Sequence, residues 1–235
     1  MIKPKRIVDL SHTVIPGKEE YRLEIDTRPT ERWPQFSQYQ RLEGHWYVIS
    51  EVHMNLHVGT HIEFPFHHFE QALDGASYPL ERLVGDAVVI DISAWGHNQM
   101  IDLPGLQKRC EGLLRPGDIA YFYTGLDRHY HTSHQHDRPW FETRAIEWLA
   151  NEVQIGIMGV DTSGIEVRNP DGSASVGQPN HEVLLGAGIG LVEYLANLDA
   201  FLNQRFTSFI LPVKVAGAEA FPVRVIGIEW EEAGA

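Results

Sequence analysis

The segment from residue 53 to residue 68, HMNLHVGTHIEFPFHH, concentrates side chains that can bind a metal ion. Apolar residues occupy most of its even positions, whereas the odd positions include His57, His61, Glu63 and His67. This period of two is typical of an extended chain, in which successive side chains point to opposite faces. The even set is therefore expected to enter a core and the odd set to converge on one surface. Clustered imidazole and carboxylate groups are the donors that a divalent cation requires.

His57 and His61 can share one ion only if the chain bends between them. In a straight strand at ~3.3 Å per residue they would lie ~13 Å apart, whereas a nitrogen ligand lies ~2 Å from zinc. Gly59 and Thr60 interrupt the alternation, and glycine permits the backbone angles of a sharp bend. A helical His-x3-His pair is disfavoured because Gly59 and Pro65 lie in the segment and its apolar period is two.

The alternative for this segment is an exposed polar strand face without a metal. That interpretation suits an isolated histidine better than four donors around a glycine-marked bend. His53 and His68 are expected to support the site or the fold rather than to bind the ion. His68 falls on the apolar side of the alternation, and His53 lies further along the chain.

Two residues in the second half of the chain are candidates for further ligands. His181 follows the turn 177–180 and begins an apolar helix, whereas Glu193 lies inside the apolar run 189–195. A buried carboxylate is unfavourable unless it is paired or bound to a cation. Each residue is alternatively a helix cap or an edge residue, which are common positions for such side chains.

Composition limits the classes of partner. The formal net charge is −13, and the short run KPKR at residues 3–6 is the only cluster of basic residues, so neither nucleic acid nor an anionic membrane is an expected partner. The single cysteine, Cys110, excludes an intrachain disulfide and suits a reducing compartment. With no signal segment and no apolar run of membrane-spanning length, the expected location is the cytoplasm.

Short apolar runs predict a sheet. The predicted strands are β-branched, bounded by turn residues, and lie at 7–10, 48–52, 87–92, 119–123, 155–160 and 223–228. Helices are predicted at 103–109 after Asp102, at 144–151, and as short segments at 181–185 and 197–203. At 235 residues with 43% hydrophobic content, residues 1–235 are expected to form a single β-rich α/β domain.

Three other segments have predicted roles. Residues 17–44 are polar and aromatic and form a long excursion that is expected to cover the active site, either of its own subunit or of a neighbouring one. Residues 129–140 are rich in histidine but lack apolar alternation, which predicts a solvated loop near the site entrance. Asp161 and Thr162 are expected to form a structural turn, with support of the site as the alternative.

The metal-binding segment resembles a family signature. HVGTHIEFPFH is similar to the HxGTHxDxPxH pattern of the cyclase family of metal-dependent hydrolases, which includes bacterial kynurenine formamidase and isatin hydrolase. Seven further blocks follow that family's order, among them IVDLSHTVIPG, GDAVVIDIS, RPGDIAYFYTG, GVDTSGIE and the closing LPVKVAGAEAFPVRVIGI. The ordered set covers nearly the whole chain.

The resemblance implies roles for individual residues. It implies that His57, His61 and Glu63 bind a first metal ion and that His181 and Glu193 complete a second position, with zinc or manganese as one or two ions per subunit. It implies that His67 is the catalytic histidine. It also implies a swivelling β/β/α-type fold and a homodimer or homotetramer. This chain departs from the pattern at Glu63, where the family has aspartate.

The implied activity is hydrolysis of a small-molecule amide. A bound divalent ion lowers the pKa of water toward ~7 and polarises a carbonyl. The activated water would cleave the C–N bond of an aryl formamide such as N-formylkynurenine, or of a cyclic amide, while His67 moves a proton to the leaving nitrogen. Two alternatives remain open at this stage: ring closure or dehydration with the ion as a Lewis acid, and a non-catalytic binding relative that would not need His67.

Overall fold

The computed structural model describes residues 3–169 and 171–231. Within these ranges the chain forms thirteen strands: β1 Pro4–Asp9, β2 Leu23–Pro29, β3 Val48–Met54, β4 His61–Glu63, β5 Val84–Asp91, β6 Met100–Ile101, β7 Ile119–Tyr123, β8 Trp140–Phe141, β9 Ile157–Val160, β10 Gly190–Glu193, β11 Arg205–Ile210, β12 Ala220–Pro222 and β13 Val225–Trp230. The α-helices are α1 Leu103–Cys110, α2 Thr143–Glu147 and α3 Pro179–Gly186. Helix α2 continues into the π-helical turn Trp148–Val153.

Nine strands form one mixed sheet in the order β1-β13-β11-β5-β7-β9-β10-β4-β12. The central strands β5, β7, β9 and β10 are parallel, and the strands on either side of them are antiparallel. Helices α1, α2 and α3 lie in the three connections between those parallel strands, as parallel pairing requires a crossover. Strands β2 and β3 form a separate antiparallel pair, and β6 and β8 form a short parallel pair.

The alternation of side chains along β5 separates two cores. Val88 and Ile90 face the helices and pack with residues of α1 and α2, whereas Ala87 and Val89 face the opposite side of the sheet. That second core also receives Ile62 from β4. Burying a side chain of this size stabilises the fold by ~1.5–3 kcal/mol. Both faces of the sheet that contains β4 are therefore packed against a hydrophobic core.

The predicted elements are largely present. Each of the six predicted strands overlaps an observed one, and α1 begins where expected, with the Asp102 carboxylate accepting a hydrogen bond from the Gly105 amide at 3.2 Å. The helix predicted at 144–151 is present, and its second part, after Glu147, is a π-helical turn. The segment 197–203 forms only the short 3-10 turn Leu198–Phe201, since Asn197 has a left-handed φ of +55°.

The alternation in the metal-binding segment enters the core only after its bend. Val58, Ile62 and Phe64 are fully buried, but Val52 is 52% exposed. The prediction that the whole even set is buried was therefore wrong. Its physical reason is that β3 pairs with β2 alone and no second layer covers this two-stranded sheet among the described residues. The β-rich α/β class predicted from the sequence is confirmed.

Between residues 3 and 231, leaving aside residue 170, none of the helices combines the length and apolar character needed to cross a bilayer.

Candidate metal centre

A bend at Gly59 brings His57 back over β4. Gly59 has a φ of +66°, and a methyl group in place of its α-hydrogen would overlap Val14 Cγ1. The bend places His57 Nδ1 3.2 Å from His61 Nε2, instead of the separation of a straight strand. The sequence-based expectation of a sharp turn at this glycine is confirmed.

Strand register brings His61 and Glu193 together. β4 lies between β10 and β12 in the sheet, and His61 is the register partner of Glu193 on β10. Side chains of directly paired residues project from the same face of a sheet. His61 Nε2 accordingly lies 3.7 Å from Glu193 Oε2. Glu63, two residues further along β4, points to the same face and is 3% exposed.

Helix α3 adds His181 to this group. The Nδ1 of His181 lies 2.8 Å from Glu166 Oε2, so it carries the proton and donates to that carboxylate. Its Nε2 faces the site, 3.5 Å from Glu63 Oε2 and 3.6 Å from Glu193 Oε1. A hydrogen-bonded carboxylate behind an imidazole is the usual arrangement that fixes the orientation of a metal-binding histidine.

The five residues predicted as ligands meet in two adjoining groups. One consists of His57, His61 and Glu63, and the other of Glu63, His181 and Glu193, and within each group the donor atoms lie within 4.8 Å of one another. Glu63 belongs to both groups. Its Oε1 lies 3.0 Å from His57 Nδ1, whereas its Oε2 faces His181.

The donor set fits a divalent cation. In a tetrahedral site with bonds of ~2.0–2.1 Å, neighbouring donor atoms are ~3.3–3.4 Å apart, and the observed separations of 3.0 to 3.7 Å are similar. His61 Nδ1 lies 2.9 Å from the Gly59 carbonyl and can donate a hydrogen bond to it, so the Nε2 of His61 points toward the site. Glu63 Oε2 is buried and accepts no hydrogen bond from any described residue. A cation would satisfy this oxygen.

The electrostatics also favour a positive charge at this point. Burial raises the pKa of Glu63, but hydrogen bonds from His57 and His61 outweigh it and hold the pKa well below the usual range. Burial lowers the pKa of His181, but Glu166, Glu193 and Glu63 outweigh it and raise the pKa to about 10. In the absence of a metal ion, protons are thus drawn to the position that a cation would occupy.

His67 lies beside the two groups but outside both. It ends the 3-10 turn Pro65–His67 after β4, and its Nε2 is 3.9 Å from Glu63 Oε1. Burial lowers the pKa of His67 despite the nearby Glu63, so the imidazole is neutral at pH 7 and can accept a proton. Its ring centre lies 4.9 Å from that of His57.

A cavity of about 400 Å³ opens onto these side chains. All five predicted ligands and His67 line it, and Tyr21 is the aromatic residue that the 17–44 segment contributes to its wall. Residues 28–38 of that segment are not among the lining residues. The remaining histidines of the motif do not line the cavity. His68 stacks on His181 with ring planes 8° apart, and His53 is exposed on β3.

The histidine-rich loop 129–140 lies closer to the site than predicted. His136 is exposed and lines the cavity, as expected of a solvated loop near the site entrance, but the expectation was wrong for Arg138, which lines the cavity and is only 6% exposed. Glu166 was also missed from the sequence. The sequence feature that could have indicated Glu166 is its position at the end of the GVDTSGIE block, where a charged residue lies between the apolar Ile165 and Val167.

Asp161 is a structural residue at the end of β9. Its carboxylate accepts hydrogen bonds from the Thr124 amide and hydroxyl and from the Gly125 amide, at 2.7 to 3.0 Å. These bonds tie the end of β9 to the end of β7. Cys110 is the last residue of α1 and is buried in the core, and burial raises the pKa of its thiol to about 12.

Comparison with known proteins identifies the family. The sequence profile described as "Putative cyclase" matches residues 8–167. The chain belongs to the cyclase family. A kynurenine formamidase from Erythrobacter litoralis is 27% identical over 236 residues, which cover 98% of this chain and 97% of the relative.

Solved structures show the same fold. Isatin hydrolase A from Ralstonia solanacearum superposes with a TM-score of 0.78 at 21% identity, over 95% of this chain and 91% of that protein. A structure described as a potential metal-dependent hydrolase with cyclase activity has a TM-score of 0.73 at 24% identity, over 96% of this chain and 98% of its own. The cyclase-family fold inferred from the sequence is confirmed.

Proposed function

We propose that this cyclase-family protein is a metal-dependent hydrolase that cleaves the C–N bond of a small, non-peptide amide. The observation that carries the proposal is Glu63, whose two carboxylate oxygens face two adjoining groups of metal-binding side chains in a cavity. An aryl formamide such as N-formylkynurenine is the preferred substrate, in keeping with the kynurenine formamidase that aligns over nearly the whole chain. A cyclic amide is the second substrate class.

The proposed ligands are His57, His61, Glu63, His181 and Glu193, holding zinc or manganese as one or two ions. Imidazole and carboxylate suit either metal. When bound, the ion supplies Lewis acidity and lowers the pKa of water. Among the protein's own groups, Glu166 fixes the ring of His181, and the Gly59 carbonyl fixes that of His61.

His67 is the proposed proton carrier. Being neutral at pH 7 and partly exposed to the cavity, it can take a proton from the attacking water. It then delivers this proton to the nitrogen as the C–N bond breaks, since an amide nitrogen leaves readily only when protonated. The same ring therefore acts first as a base and then as an acid.

Labelled water tests the reaction type. Protein loaded with zinc or manganese is incubated with formanilides and cyclic amides in heavy-oxygen water, and the masses of the products are measured by mass spectrometry. We expect one heavy oxygen in the carboxylate product, loss of turnover on chelation, and its recovery on adding metal. Product without label would indicate ring closure or dehydration instead. No turnover of any amide by metal-loaded protein would contradict the proposal.

We also propose that the enzyme works in the cytoplasm as a homodimer or homotetramer. Exposed apolar side chains cluster on and beside β3, and a subunit contact would cover them: Tyr39, Leu42, Trp46, Tyr47 and Val52. Sedimentation of the purified protein tests the assembly, and a monomer at micromolar concentration would contradict it.

A further inference from the structure

Arg138 is a buried cation in the wall of the cavity. It is the only arginine or lysine among the described residues that line this cavity, where the other charged neighbours include Glu63, Glu166 and Glu193. Arginine is rarely buried to this extent unless a partner offsets its charge. The contacts of the guanidinium group therefore show what kind of partner it lacks.

The guanidinium is held from one side only. Its Nη1 donates hydrogen bonds to the carbonyl oxygens of Pro139 and Glu166, each at 3.1 Å. These two bonds use both protons of Nη1 and fix the plane of the group. Nε is buried and has no acceptor in residues 3–169 and 171–231, and Nη2 likewise donates to none of them. The edge formed by Nε and Nη2 thus remains unpaired.

The nearby carboxylates have other partners. Glu166 accepts from His181 Nδ1 with one oxygen and from the Val167 and Asn180 amides with the other. The two oxygens of Glu193 face the histidines of the metal centre. Within the described part of the chain, neither carboxylate has an oxygen within 4 Å of a guanidinium nitrogen of Arg138. A buried cation without a counterion is unfavourable, so its missing partner is expected to be an anion.

Gly164 lies beside the free edge, at a position where no side chain fits. A Cβ atom at this position would lie 2.8 Å from Glu193 Oε1 and 3.8 Å from Arg138 Nη2. Its φ of +120° is also one that other residues rarely adopt. Gly164 therefore lies between a residue of the metal centre and the guanidinium, and it lines the cavity.

We propose that the free edge of Arg138 binds a carboxylate of the substrate, so that the enzyme selects amides that carry a carboxylate. This inference rests on the proposed function and names a substrate class within it. A planar guanidinium edge matches a carboxylate with two parallel hydrogen bonds, which a lysine ammonium does not reproduce. The cavity volume of about 400 Å³ lies within the range of small-molecule sites.

A matched pair of ligands tests the assignment. Metal-loaded protein is titrated calorimetrically with 2-formamidobenzoate and with 2-formamidobenzamide, which differ only in carboxylate against carboxamide, and hydrolysis of both is followed. We expect Arg138→Gln to weaken carboxylate binding and raise its Michaelis constant by roughly 10- to 100-fold, the effect of a lost charge-assisted hydrogen bond. Binding and turnover of the carboxamide should change less than about threefold, with metal content and thermal midpoint retained.

Two further variants complete the experiment. Arg138→Lys keeps the positive charge but lacks the planar guanidinium with its two parallel donors. Its carboxylate affinity should therefore fall between those of the native and Arg138→Gln proteins. Arg144→Gln removes an arginine whose side chain is 72% exposed, faces Glu142 and does not line the cavity, and it should leave the preference unchanged.

Equal losses for the two ligands in Arg138→Gln would overturn the inference. So would an unchanged carboxylate affinity, which would place the carboxylate on the metal. If Arg138→Gln does not fold, native protein that binds both ligands equally well overturns the inference, whereas a carboxylate preference reduced in Arg138→Lys supports it. Failure of the proposed function gives a different result, because carboxylate binding that depends on Arg138 would then occur without hydrolysis of either amide.

Discussion

His67 interacts electrostatically with Glu63 at 3.9 Å, but it is not part of either group of donors. Replacing it with alanine should leave most of the bound metal in place and lower turnover roughly 10²- to 10⁴-fold, the usual contribution of a positioned acid or base. Elemental analysis and steady-state kinetics on the same preparation measure both quantities. Joint loss of metal and activity would make His67 a ligand instead.

Glu63 is the position at which the chain departs from its family's signature. Its longer side chain allows one oxygen to face His57 and the other His181. Glu63→Asp retracts the carboxylate by about 1.5 Å, one bond length, so it should still bind metal but with altered occupancy or metal preference. Glu63→Gln should weaken binding because it removes the negative charge that offsets the cation.

Metal titration by calorimetry compares the three forms of residue 63. Matching stoichiometry and affinity in the native, Asp and Gln proteins would mean that this carboxylate does not contact the ion.

At the scale of elements, the bend before β4 is the feature on which the metal centre depends most. Gly59→Ala introduces both left-handed strain, ~1–2 kcal/mol, and an overlap with Val14, ~1–3 kcal/mol. It should also separate His57 from His61 and lower metal affinity. Gly112→Ala is the matched control, since Gly112 has a φ of +72° but no atom within 4 Å of the added methyl group.

Denaturant unfolding of the two glycine variants separates these effects. In the Gly112→Ala control, the free energy of unfolding should fall only by the amount of the left-handed strain, and metal binding should be unchanged. If both variants lose the same free energy of unfolding and bind metal equally, the bend does not position the ligands.

Much of the sheet could be predicted from the sequence, because its central strands are apolar and bounded by turn residues. Strand β11 shows why other strands were missed. Ser208 is a polar residue on its buried face, and it is satisfied there by the hydroxyl of Tyr121 at 2.7 Å. That partner lies 87 residues away in the chain. A local pattern cannot indicate that a serine will be buried by such a contact.

The same limit applied to the metal centre. The segment around His61 was predictable because its donors alternate with core residues within one short stretch. Glu166 and Arg138 were not, since their importance depends on what surrounds them in the fold. Glu166 is defined by its contact with His181, and Arg138 by the absence of an acceptor on one edge among the described residues.

At the scale of the whole molecule, metal binding and stability should be linked. An ion that binds only the folded state at 100 times its dissociation constant adds ~2.7 kcal/mol, which for a chain of this size raises the unfolding midpoint by ~5–10 °C. Scanning calorimetry before and after chelation measures this shift. Glu193→Ala should respond little, because its carboxylate faces both His61 and His181. An equal response in that variant would place the stabilising ion elsewhere.

The sheet order has a consequence for how the protein is made. Strand β1 pairs with β13, and β4 pairs with β10 and β12, so strands from the first third of the chain find their partners near its end. At ~5–20 residues per second, the ribosome takes on the order of 10 s to pass from β4 to β10. During that interval the histidines around Gly59 emerge on a nascent chain whose sheet partners do not yet exist. The metal centre can therefore form only late in synthesis. Before then, chaperones would bind the N-terminal strands of the chain while these are still unpaired.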